Sequence, residues 1–70
     1  MIRVTLNGEE RELAADVRTV ADLVVHLGLG NRRVAVEINR EIVRRDAWAA
    51  KPLAAGDAIE VLHLVGGGEA

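Results

Sequence analysis

Residues 2–13, Ile2-Arg3-Val4-Thr5-Leu6-Asn7-Gly8-Glu9-Glu10-Arg11-Glu12-Leu13, set the architecture of the chain. Ile2, Val4 and Leu6 alternate with Arg3 and Thr5, which is the period of a strand that turns one face to a core. Asn7-Gly8 is a pair that tolerates positive φ at both centres of a two-residue hairpin turn. The run therefore predicts two antiparallel strands, the second from Glu9 to Leu13, with Leu13 its clearest core residue.

Beyond the hairpin the period changes. Thr19 precedes Val20 and stands three residues before Asp22, a capping-box-like start, and Val20, Leu23, Val24 and Leu27 recur at helical spacing until Gly28 offers a left-handed C-cap. This predicts an amphipathic helix of about two to three turns. Leu29 anchors its exit, and Gly30-Asn31-Arg32-Arg33 is a polar connection. Val34, Val36 and Ile38 alternate again, Asn39-Arg40 starts a turn, and Glu41-Ile42-Val43 forms a short fourth strand. Arg44 to Lys51, stopped by Pro52, reads as a single turn or irregular loop. Leu53 plugs the core, Gly56-Asp57 is a turn signal, and Ile59 to Val65 make the last strand. The order is an α+β one, a mixed sheet of four to five strands with one helix across one face. With the helix and third strand as crossover, the first and last strands pair in parallel at the centre.

Seventy residues make one domain, and half of them are apolar, enough for one tight core. Any function that needs a cleft between domains falls to a partner. Cysteine is absent, which removes disulfides, thiolate metal sites and a cysteine nucleophile and leans the chain toward a cytoplasmic location. The net charge of −2 and the single aromatic residue, Trp48, leave no basic field or stacking rings for nucleic acid. The most apolar stretch, Val20 to Leu29, is broken by Asp22, His26 and Gly28, so neither a membrane span nor a signal peptide is expected.

The candidates for side-chain chemistry are few. Serine is absent, and Thr19 is accounted for as a cap. His26 reads as a polar position on the helix rim and His63 as a strand-edge or sheet-surface residue; neither has metal-ligand spacing. Asn31, Arg32, Arg33 and Arg40, Arg44, Arg45 are two basic runs interleaved with Glu37, Glu41 and Asp46, a solvated mixed face before it is a docking site. Trp48 among alanines caps a small core sooner than it marks a binding anchor. A domain this small leaves little room for a pocket of ~300 Å³ once its core is filled.

The C-terminus stands apart. Gly66-Gly67-Gly68 follow the last strand where no returning element uses them as a turn, which divides the chain into a domain over residues 1–65 and a flexible tail over 66–70. A backbone without Cβ atoms passes through a narrow tunnel that rejects side chains, and it delivers a terminal carboxylate to a reactive centre on another protein.

The order of these pieces resembles the ThiS family: the hairpin Ile2 to Leu13, Val34-Ala35-Val36-Glu37-Ile38-Asn39 with Glu41-Ile42-Val43, Arg45 and Trp48, Gly56-Asp57-Ala58-Ile59-Glu60-Val61, His63, and Val65-Gly66-Gly67-Gly68. The resemblance covers essentially the whole chain to Gly68. It implies a ubiquitin-like β-grasp fold and a sulfur carrier for the thiazole moiety of thiamine. An E1-like (ThiF-type) adenylyltransferase would use ATP and Mg, bound on the partner, to activate the carboxylate of Gly68, which then becomes a thiocarboxylate. A ThiG-type thiazole synthase would take the sulfur. The carrier is thus a protein co-substrate with no bound cofactor and no catalytic residue of its own. Glu69-Ala70 depart from the pattern, because an internal peptide bond offers no free carboxylate, so a processing peptidase is implied. The alternative readings of this chain are the small subunit of molybdopterin synthase, a sulfur carrier for another pathway such as cysteine synthesis, and, from a different class, a ubiquitin-like interaction module without sulfur transfer.

Alternation in the last strand also bears on docking. With Ile59 and Val61 inward, Glu60, Leu62 and Leu64 point outward beside Val65 and form a partner-facing patch. A register change of one residue would place both leucines under the helix instead.

Overall fold

The computed structural model describes residues 1–64. In chain order the elements are β1 (Ile2–Leu6), β2 (Glu9–Leu13), α1 (Val20–His26), β3 (Val34–Ile38), β4 (Glu41–Val43), a 3₁₀ helix (Arg45–Ala50) and β5 (Ala58–His63). The five strands form one mixed sheet in the order β2-β1-β5-β3-β4. β5 runs parallel to β1 through Thr5↔Ala58 and Leu6↔Ile59, and antiparallel to β3 from Ile38↔Ile59 to Val34↔His63. The last strand in sequence is therefore the middle strand of the sheet, as the element order predicts.

Both hairpins turn on a pair of positive-φ residues. Asn7 and Gly8 have φ of 50° and 83°, and Asn39 and Arg40 have 52° and 72°. Positive φ at both central residues matches the right-handed twist of the flanking strands, so each hairpin closes without splaying.

The helix carries its own start and stop. Thr19 Oγ1 accepts the Asp22 N–H at 3.2 Å, while Asp22 Oδ2 accepts the N–H groups of Arg18 at 3.0 Å and Thr19 at 3.1 Å, a complete capping box. Those backbone donors, Arg18 first, hold the Asp22 carboxyl below its ordinary value. At the other end Gly28, at φ 76°, donates to Val25 O at 2.9 Å and Leu29 donates to Val24 O at 3.0 Å. This is the paired bond set of a Schellman stop, and it swings Leu29 back against the core.

One face of the sheet and the helix stripe make the core. Val4, Leu6 and Leu13 come from the hairpin, Val20, Leu23 and Val24 from α1, Val36 and Ile38 from β3, and Ile59 and Val61 from β5. Val17, in the connection before the helix, is also buried, a contribution its loop-like surroundings do not announce.

Residues 45–50 differ from the expectation of a single turn or loop, forming a six-residue 3₁₀ helix. Its order comes from outside the segment. Trp48 is buried, its indole Nε1 donates to Val43 O at 2.9 Å, and the Arg45 guanidinium stacks 4.6 Å from the ring centroid. The segment after it is tied to the helix entry, with Val20 N–H donating to Lys51 O at 3.0 Å and Leu53 N–H to Arg18 O at 2.8 Å. β5 ends at His63 rather than Val65, with one more bond from Leu64 N–H to Arg33 O at 2.9 Å. Val65 and the tail predicted over 66–70 lie outside the described residues.

Candidate functional site

The sequence points to the C-terminal end of β5, and the fold makes that end firm. On the β3 side the ladder continues to Val34↔His63 and the Leu64 N–H. On the β1 side the strand has already turned at Asn7, and the asparagine itself takes over. Its backbone N–H donates to Ile59 O at 2.8 Å, its Oδ1 accepts Val61 N–H at 2.8 Å and its Nδ2 donates to Val61 O at 3.3 Å. A side-chain amide thus occupies the place of the next strand residue, satisfying both backbone groups of Val61. The strand that leads to Gly66-Gly67-Gly68 is gripped on both sides almost to its last described residue.

Its two faces differ. Away from the helix, Leu62 and Leu64 are 47% and 49% exposed, so the outward register holds. Leu62 faces Ala35 across the ladder, and Glu60 stands opposite Glu37, which makes this face apolar near the exit and acidic further in. On the helix side Val61 and His63 line a shallow groove of about 350 Å³ with Leu6, Leu27, Leu29 and Arg11. His63 is exposed there, and His26 is exposed at the end of α1 on a separate groove. Among the described residues no group of three or more His, Cys, Asp or Glu is placed to hold a metal.

The two basic runs come together in part. Arg32 and Arg33 lead into β3 and Arg44 and Arg45 leave β4, so the antiparallel hairpin sets both pairs at one end. Arg45 Nη2 donates to Arg32 O at 2.8 Å, and Arg33 O receives the Leu64 N–H. Arg40 is in the turn at the opposite end. All are exposed, as a solvated face requires, yet four of them lie at the end of the sheet where β5 exits, on its β3–β4 side. Neither that grouping nor the Asn7 grip is legible in local sequence, since both depend on which strands become neighbours. The predicted site residues Gly66, Gly67, Gly68 and Val65 lie outside the described residues.

A mixed five-stranded sheet with β1 and β5 parallel at its middle and one main helix on one face defines a small β-grasp domain whose central strand leads into a glycine-rich end. The ThiS family model matches residues 4–68. The chain belongs to the ThiS family. It is 38% identical over 63 residues to the sulfur carrier protein ThiS of Bacillus subtilis, covering 90% of this chain and 96% of that one. The crystal structure of the thiamine biosynthesis protein ThiS from Geobacter metallireducens superposes with a TM-score of 0.81 at 32% identity, over 96% of this chain and 100% of that chain. The chain is also 40% identical over 67 residues to a thiazole synthase of Paramagnetospirillum magneticum, covering 96% of this chain but 20% of that protein. It therefore spans about a fifth of the length of the thiazole synthases it matches.

Proposed function

We propose that this chain carries sulfur for thiazole formation in thiamine biosynthesis, as a thiocarboxylate on Gly68. The observation that carries the reading is the family match running from β1 through Gly68, so that it takes in the tail as well as the globule. The chemistry needs little from the domain itself. A carboxylate is a poor electrophile until one oxygen becomes part of a good leaving group, so activation by adenylation comes first. The Gly68 carboxylate attacks the α-phosphorus of ATP and expels pyrophosphate; a sulfur nucleophile then displaces AMP from the acyl carbon. The ThiF-type adenylyltransferase supplies the Mg-ATP site and the charge stabilisation, and the carrier is its co-substrate. Glycine at the reacting end lets the backbone enter that site without a Cβ to clash. The reading places these steps in the cytoplasm.

A ThiG-type thiazole synthase is the proposed sulfur acceptor, supported by the presence of a segment 38–40% identical to this chain within longer proteins named thiazole synthase. Exposed Leu62 and Leu64 form the apolar part of the surface offered to partners; Val65, proposed with them, lies outside the described residues. Glu69-Ala70 must be cleaved to free the Gly68 carboxylate.

Incubation of chains ending at Gly68 and at Ala70 with a ThiF-type enzyme, ATP and a sulfur donor tests the reading by intact mass. Oxygen-to-sulfur exchange in the shorter form, and none in the longer, is the expected result. No exchange in either leaves an interaction module in its place, and transfer of the sulfur to a molybdopterin synthase large subunit rather than a thiazole synthase redirects the pathway.

A further inference from the structure

The four arginines at the root of the tail are not explained by the chemistry at Gly68. The chain as a whole is negative, at −2, and the open sheet face carries Glu37 and Glu60 further in from the exit, yet Arg32, Arg33, Arg44 and Arg45, four of nine Lys and Arg, gather at the end where β5 leaves the sheet. Arg45 is committed to the fold through Trp48 and Arg32 O. Arg44 has Asp46 at 3.7 Å, but both groups are largely exposed and such a pair is weak. Arg32, Arg33 and Arg44 thus present positive charge to whatever surrounds the tail.

Reach decides what they meet. Gly68 is four positions beyond Leu64, a reach of at most about 14 Å. The arginines lie at the base of the tail, where a partner that takes up Gly68 meets the globule. Resting on the carrier reading above, we propose that Arg32, Arg33 and Arg44 form a basic collar on the β3–β4 side of the tail's base alone, which docks against an acidic rim at the mouth of the adenylating enzyme's active site. Such a contact sets encounter rate and register, leaving the chemical step to the tail.

The test is ATP–pyrophosphate exchange by a ThiF-type enzyme with the chain ending at Gly68, at low and at high salt. Arg33→Glu with Arg44→Glu should raise KM for the carrier about tenfold or more at low salt with kcat unchanged, and the gap should close near about 0.5 M salt. Arg33→Lys with Arg44→Lys, which keeps the charge, should stay near wild type, and Arg40→Glu, at the far end of the hairpin, should move KM little. A wild-type KM in the double Glu variant overturns the collar, as does an equal rise from Arg40→Glu or from the Lys pair. If the unaltered carrier supports no exchange at all, the carrier reading falls and the collar with it.

Discussion

Asn7 and Asn39 each do two jobs. Both hold a hairpin open at positive φ, and both turn a side-chain amide onto β5, Asn7 at Val61 and Asn39 at Ala58, where Oδ1 accepts the backbone N–H at 2.9 Å and Nδ2 donates to Asp57 at 3.0 Å. The central strand is thus stapled near both ends by residues whose sequence signature is only that of a turn. Asn7→Gly keeps the turn and removes the amide, so its cost isolates the two bonds to Val61; we expect about 1–2 kcal/mol in urea denaturation. Asn7→Ala should cost about 1 kcal/mol more, because alanine resists the left-handed backbone. Equal stability of Asn7→Gly and the parent would show that the amide holds nothing. Arg40, at φ 72°, has the turn conformation without a side-chain bond to the strand that rewards it. Arg40→Gly should therefore stabilise the protein by up to about 1 kcal/mol, the relief of strain less the entropy glycine adds to the unfolded chain.

The helix is short, seven residues, and isolated helices of that length do not hold in water. Packing of Val20, Leu23 and Val24 sustains it, and the capping box fixes where it starts. Because Asp22 titrates below its ordinary value in the folded protein, its contribution is complete above the unfolded value near 3.8 and fades as pH falls through the folded one. Thermal melts from neutral to acid pH should show Asp22→Asn less stable than the parent by a constant margin until about pH 4, then a shrinking margin. A margin that widened in acid would reverse the assignment. The cap, the Gly28 stop and both hairpins were readable in advance because each is made by residues within a few positions of one another. The 3₁₀ helix was not, since Trp48 orders it by entering a core built from distant strands. The Asn7–Val61 bonds were hidden for the same reason, spanning 54 positions.

In the proposed function, globule and tail divide the work between stability and reaction. A domain of seventy residues has roughly 4–10 kcal/mol of stability, and Leu23, fully buried, is worth about 2–5 kcal/mol on truncation to alanine, so Leu23→Ala should consume much of that margin in a denaturant titration. Gly68→Val should do the opposite, leaving the melting curve in place while abolishing adenylation measured by pyrophosphate exchange. A variant that lost both together would contradict the separation. The missing Cys and Ser turned the expectation away from side-chain chemistry, and the glycines near the end turned it toward the backbone; the grouping of four arginines on one side of β5's exit emerged only when β3, β4 and β5 were laid side by side. There is also a mechanical corollary of placing the final strand between two neighbours. Traction applied at the terminus loads the β1 and β3 ladders and the Asn7 clasp together in shear, where an edge strand would peel one bond at a time. A machine that unspools proteins from this end would meet the domain along its stiffest direction, so even a small domain of this build resists being dragged apart from its C-terminal side.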